Sequence, residues 1–223
     1  MKKVLKNVKL RLSSAQVFVI LILKMCILFG QETNAQKRII IDPGHGGKDS
    51  GAIGINGIQE KDIVLDIANA ILKLNNDSKK PLDIYLTRYN DTLISLSDRT
   101  KLAKTLKADL FVSLHCNHSD NPNSRGVEVY LSNKQSKYQD NSVWFAFQMQ
   151  DPLNTKLGFE SRGVKFANFQ VLRENIKFRT AILIEMGFLT NTDEADYFLS
   201  PKNIRAMALA ILIGLCNYFN TGL

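Results

Sequence analysis

Three short stretches hold the side chains able to do chemistry: Asp42-Pro43-Gly44-His45-Gly46-Gly47, Ser113-Leu114-His115-Cys116-Asn117 and Ile184-Glu185-Met186-Gly187-Phe188. Each directly follows a run that reads as a β-strand. Open α/β sheets bind ligands beyond the carboxyl ends of their strands, so residues far apart in sequence can converge there. Two imidazoles and a carboxylate meeting at such an edge suggest a metal-dependent hydrolase. Catalytic zinc commonly takes two His and one Glu and keeps a fourth position open for water.

Glu60 is the natural third ligand, because it would open a helix on its core-facing side, where an unpaired charge is costly to desolvate and a metal offsets that cost. The other reading is a helix N-terminal carboxylate favouring the macrodipole, worth about 0.3–1 kcal/mol. The sequence does not choose between them. Glu185 ends the apolar run Ala181-Ile182-Leu183-Ile184, a setting that suits a raised pKa and general-base work. Its alternative is an ion pair with Arg162 or Arg173.

Cys116 alternates to the opposite strand face from His115, which favours packing over metal binding. His118, the last of three histidines, falls at the rim of the cleft as a substrate contact. The glycines from Gly44 to Gly57 do not form a phosphate cradle: Gly47-Lys48 is followed by Asp49, and Asp42 stands where a P-loop needs Gly. They let the backbone turn tightly around His45.

The elements that must position these residues follow from hydrophobic periodicity. Lys37 to Ile41 reads as a buried first strand, and residues 59–75 as an amphipathic helix through Ile63, Val64, Ile67, Ile71 and Leu74. A strand from Leu82 to Thr87 precedes a helix from Ser97 through Leu106. Strands follow at Leu110 to His115 and Gly126 to Leu131. Residues 133–160 read as a surface segment leading into a helix around Val143 to Met149, stopped near Asp151-Pro152. Phe169 to Arg173 and Ala181 to Glu185 read as two more strands. Ser200-Pro201 caps a last helix with Ile204, Ala208, Ile211, Leu212, Leu215 and Phe219 on one stripe. This order predicts one α/β domain, with a central mixed, mostly parallel twisted sheet of about six strands flanked by helices.

A chain of 223 residues suits one such domain. Residues 1–35 read as an export signal, with Lys2, Lys3, Lys6, Lys9 and Arg11 ahead of the apolar run Val17 to Phe29 and cleavage expected after Ala35. The catalytic domain is then 36–223. Lys24 interrupts the apolar run, which is shorter than the roughly 20 residues of a spanning helix, so no stable membrane anchor is expected. Lipid attachment at Cys26 is disfavoured by the preceding Leu23-Lys24-Met25. The leader carries much of the positive charge: a net +8 falls to about +3 beyond Ala35. With no arginine-rich stripe interleaved with aromatics, nucleic acid is not an expected partner. Cys116 and Cys216 alone do not make a disulfide framework.

Together these motifs resemble the zinc-dependent N-acetylmuramoyl-L-alanine amidases of the type 3 group. The resemblance runs over residues 38–219. It rests on Ile41 to Gly47, Glu60-Lys61-Asp62, Ser113 to Asn117, Gly126-Val127-Glu128-Val129-Tyr130, Val171-Leu172-Arg173 and Glu185 to Asn191. It implies that His45, Glu60 and His115 bind zinc and that Glu185 is the catalytic carboxylate. It also implies a peptidoglycan substrate, cut between the lactyl group of N-acetylmuramic acid and L-alanine, and an exported protein of the bacterial envelope, periplasmic or extracellular. Cys116 departs from the small alanine usual beside the histidine. Some relatives insert a long helix between the equivalents of Leu131 and Val171 that blocks the metal until a partner removes it. The interval here, about 40 residues, leaves little room for one, so an open cleft is expected and a regulatory protein partner stays an open possibility. A zinc carboxypeptidase or another wall peptidase is the rival reading. A non-catalytic wall-binding protein is disfavoured, because no ligand is lost.

Overall fold

A computed structural model describes residues 36–220, with short pieces at 13–15 and 18–19. The chain divides at Ala35/Gln36 into two compact units. In the first, Ser14, Ala15, Phe18 and Val19 are helical; the rest of the expected export signal lies outside the described residues.

The second unit is a six-stranded sheet with helices on both faces. The strands are β1 (Arg38–Pro43), β2 (Asp83–Leu86), β3 (Leu110–Asn117), β4 (Val127–Ser132), β5 (Ser161–Ala167) and β6 (Thr180–Phe188). The helices are α1 (Glu60–Asn76), α2 (Leu96–Thr105), α3 (Gln139–Thr155), α4 (Gln170–Asn175), α5 (Thr192–Tyr197) and α6 (Pro201–Phe219). The order is β2-β1-β3-β6-β4-β5, and every pairing is parallel except β4 against β6. This is the mixed, mostly parallel sheet that the alternation of elements implies.

Strand alternation divides the core in two. Ile39, Ile41, Leu110, Val112, Leu114, Ile182 and Ile184 face one side with α1, α3 and α6, while Ile40, Phe111, Ala181 and Leu183 face the other with Ala103 of α2 and Val171 and Leu172 of α4. The chain leaves β1 for β2 on one side and later β3 on the other. The crevice between the ends of β1 and β3 is therefore the topological switch point where such sheets bind ligands.

Several local details differ from the expectations. Phe169 to Arg173 is not a strand: its residues enter α4, with Val171, Leu172 and Asn175 buried on one helical face. An apolar run this short does not reveal its period. Residues 161–167, to which the sequence assigns no element, form edge strand β5; half-covered, it lacks clean alternation. The helix expected to stop near Asp151-Pro152 runs through Pro152 to Thr155. Proline deprives the carbonyl four residues earlier of its partner, and there α6 closes in, since a Cβ on Gly214 would lie 3.1 Å from the Gln148 carbonyl oxygen. Helix α5, over 192–197, was not anticipated. The helix expected around Val143 to Met149 begins earlier, at Gln139, and is a core helix, with Phe145, Ala146, Met149 and Leu153 buried. Among the described residues, no helix is long and apolar enough to cross a membrane.

Candidate metal centre

His45 sits just past β1 in a left-handed conformation, φ 57°, which a non-glycine residue keeps only when its surroundings hold it. Two arginines do so. Arg88 donates to the carbonyls of Pro43 (3.1 Å) and Gly44 (2.7 Å), and Arg99 to those of Pro43 and His45 (both 2.6 Å). Arg99 is anchored by Asp42, a carboxylate 1% exposed that also accepts from Thr87 Oγ1 at 2.6 Å and Ser113 Oγ at 2.7 Å. The turn carrying His45 is thus fixed to β2, β3 and α2 by a fully satisfied buried network.

Glu60 opens α1 with only 2% of its surface exposed. Its Oε2 accepts from the Ala52 N–H at 2.8 Å and its Oε1 from the Cys116 N–H at 3.0 Å. The same Oε1 lies 2.8 Å from His115 Nδ1 and 3.1 Å from His45 Nε2. The imidazoles pack edge to face, centroids 4.9 Å apart. One ligand atom from each of the three residues falls within 4.8 Å of the others.

Glycine is required around this cluster. A Cβ on Gly44 would lie 2.3 Å from His115 Cε1, and one on Gly51 2.4 Å from Glu60 Oε2. Electrostatics report a shortage of positive charge. Burial disfavours the charged form of Glu60, yet the His115 and His45 hydrogen bonds outweigh it and hold the carboxyl well below its usual range. Burial likewise opposes protonation of His45, but Glu60 and then Asp49 raise it to about 9; His115 is raised against its own burial, chiefly by Glu60. Two imidazoles drawn toward the cationic form around one buried carboxylate suit a dication. The donor set, two His and one Glu, is that of catalytic zinc sites.

Glu185 is paired in register with His115 across β6 and β3. Its Oε2 is buried and has no hydrogen-bond partner. Burial raises its pKa to about 7; the His115 charge opposes the rise, and Glu60 and Glu128 add to it. The expected alternative partners are engaged elsewhere: Arg162 bonds Glu128 at 2.6 Å, and Arg173 bonds the side chain and carbonyl of Asn168. A cleft of about 580 Å³ opens beside His45 and His115, bounded by Asp42, Leu93 to Leu96, Arg99 and Val171.

Cys116 is buried, its thiol pushed well up by burial, in the core face with Leu114. His118 is exposed and not among the residues bounding that cleft. The sequence assigns no role to Asp42, Arg88, Arg99 or Glu128, although Asp42 and Glu128 stand within the motifs that carry the resemblance. Only Asp42 and Glu128 carried a signal, as charges embedded in apolar strand runs.

Residues 39–217 match the Amidase_3 family model, described as N-acetylmuramoyl-L-alanine amidase. The N-acetylmuramoyl-L-alanine amidase LytC of Bacillus subtilis (strain 168) is 40% identical over 183 residues, covering 81% of this chain and 35% of LytC. This chain therefore spans about a third of that relative's length. Among solved structures, the catalytic domain of the amidase CwlV from Bacillus (Paenibacillus) polymyxa var. colistinus superposes with a TM-score of 0.74. It is 35% identical and covers 83% of this chain and 99% of that one. CwlD of Clostridioides difficile, solved in complex with the GerS lipoprotein, gives 0.74 at 27% identity over 82% and 98% of the two chains. With the sheet, the His-Glu-His cluster and these matches in agreement, the chain belongs to the Amidase_3 family of N-acetylmuramoyl-L-alanine amidases.

Proposed function

We propose that this chain is a zinc-dependent amidase, hydrolysing the bond between the lactyl group of N-acetylmuramic acid and L-alanine in peptidoglycan. The observation that carries this reading is the buried, unpartnered Oε2 of Glu185, in register beside His115 of the His45-Glu60-His115 cluster. Those three residues would hold the zinc, which when bound polarises the scissile carbonyl and acidifies water. Glu185 accepts the proton of the attacking water and delivers it to the departing nitrogen of L-alanine. A pKa near neutrality suits a group that must do both. Residues 1–35 act as an export leader, and the protein works in the cell envelope, where its substrate is.

Mass spectrometry of products from purified peptidoglycan tests this reading, with parallel samples containing chelator and chelator plus zinc. The expected outcome is stem peptides beginning at L-alanine, lost with chelator and restored by zinc. Release of a terminal amino acid instead would make the enzyme a carboxypeptidase.

A further inference from the structure

The sheet order sets side chains in a row across its carboxyl edge: His115 on β3, Glu185 on β6, Glu128 on β4, then Arg162 and Lys165 on β5. Glu128 faces Glu185 directly across the β4–β6 pairing. Its carboxylate is 2% exposed, and all its capacity is taken. Oε2 accepts from Tyr130 Oη at 2.7 Å and Asn117 Nδ2 at 3.0 Å. Oε1 accepts from both Arg162 Nε and Lys165 Nζ at 2.6 Å.

Two cations thus share one carboxylate oxygen, with Glu160 the other acidic group acting on Arg162. Both cations are accessible, with side chains 34% and 37% exposed. They are also held in place: the Arg162 guanidinium stacks 5.0 Å from the Phe188 ring centroid, and the Lys165 ammonium sits 6.0 Å from that of Tyr130. Lys165 retains two of its three donors for another acceptor. A fixed, partly exposed pair of cationic donors with capacity to spare fits a carboxylate.

We propose that Arg162 and Lys165 form a subsite for the carboxylate of the second stem-peptide residue, on the leaving-group side of the scissile amide. This rests on the amidase reading above. Glu185 protonates the departing nitrogen, so the peptide leaves on the Glu185 side of the metal cluster, and the muramyl sugar occupies the cleft bounded by Leu93 to Leu96. Strands are spaced about 4.8 Å apart, which puts β5 roughly 10 Å from Glu185. A chain advances about 3.5 Å per residue, so Nζ or a guanidinium nitrogen reaching back from β5 meets the residue after L-alanine. In peptidoglycan that residue is D-glutamate, whose α-carboxyl is either free or converted to a carboxamide.

The test compares the full zinc-loaded chain on peptidoglycan fragments identical except for that group, free carboxylate against carboxamide. The wild type is expected to favour the carboxylate by about three- to fivefold in kcat/KM, with the difference in KM. In Lys165→Gln the ratio is expected to fall toward one, and Lys165→Arg to restore it. Equal rates on both fragments in the wild type, or a preference that survives in both Lys165→Gln and Arg162→Gln, would overturn the subsite while leaving the amidase reading intact. The wild-type comparison stands even if a variant folds poorly. Absence of L-alanine-terminated peptides from both fragments and from whole peptidoglycan would overturn the amidase reading, and the subsite with it.

Discussion

Glu128 and Glu185 face each other across β4 and β6, two carboxylates of one type in one row with opposite surroundings. Glu128 has four donors, two of them cations, and is held below its ordinary range: burial opposes this, and Lys165, Arg162 and Tyr130 prevail. Glu185 has an unpartnered oxygen and is raised to about 7, with burial the leading cause. The difference lies entirely in what each side chain meets. A satisfied carboxylate fixes structure, whereas one deprived of partners stays available to exchange a proton at neutral pH.

The largest expected break in this comparison is Glu185→Gln, which should lower kcat by about 10³-fold, as loss of a general base does. Thermal melting should show no destabilisation, because Gln removes the ionisable charge from a carboxyl whose buried Oε2 lacks a partner. Next is Gly44→Ala. Its Cβ would press on the His115 ring, and displacing that member of the proposed metal site should weaken metal binding by about 10–100-fold, as read by competition with a chromophoric chelator.

Glu128→Gln should cost about 1–2 kcal/mol, a modest figure because its cations are a third exposed. It also removes a negative charge that raises Glu185, so the acid limb of kcat/KM should move to lower pH. The smallest effect is on stability against pH in the metal-free protein. Glu185 holds its proton more tightly when folded (about 7) than at its ordinary 4.5, so stability should fall as pH rises through that interval. Glu128, depressed on folding, contributes stability above its ordinary 4.5 that is lost as pH falls through its folded value. Urea midpoints across pH should show Glu185→Gln flattening the first slope and Glu128→Gln the second.

Much of the candidate site was legible in the chain. His45, His115 and Glu185 each stand at or just past the end of an apolar strand run, and Glu60 opens the amphipathic helix that follows the first of them, although its sequence alone also suited a helix N-terminal carboxylate. The network behind them was not legible. Arg88 and Arg99 lie in polar segments that look like ordinary surface, and only folding brings them onto the carbonyls of Pro43, Gly44 and His45. Edge strand β5 is illegible in the sequence for a related reason: half-exposed on both faces, its residues obey no strict alternation.

What the sequence determined by itself was the set of elements whose burial is complete. Strands β1, β3 and β6 and helices α1 and α6 must hide continuous or periodic apolar surface, and that pattern is local. Tertiary structure decided which neighbours each charge acquired. It set β6 between β3 and β4, so that Glu185 stands between an imidazole and a saturated carboxylate. Partner choice depends on strand order and register, which are properties of the whole sheet. No single run of residues encodes them.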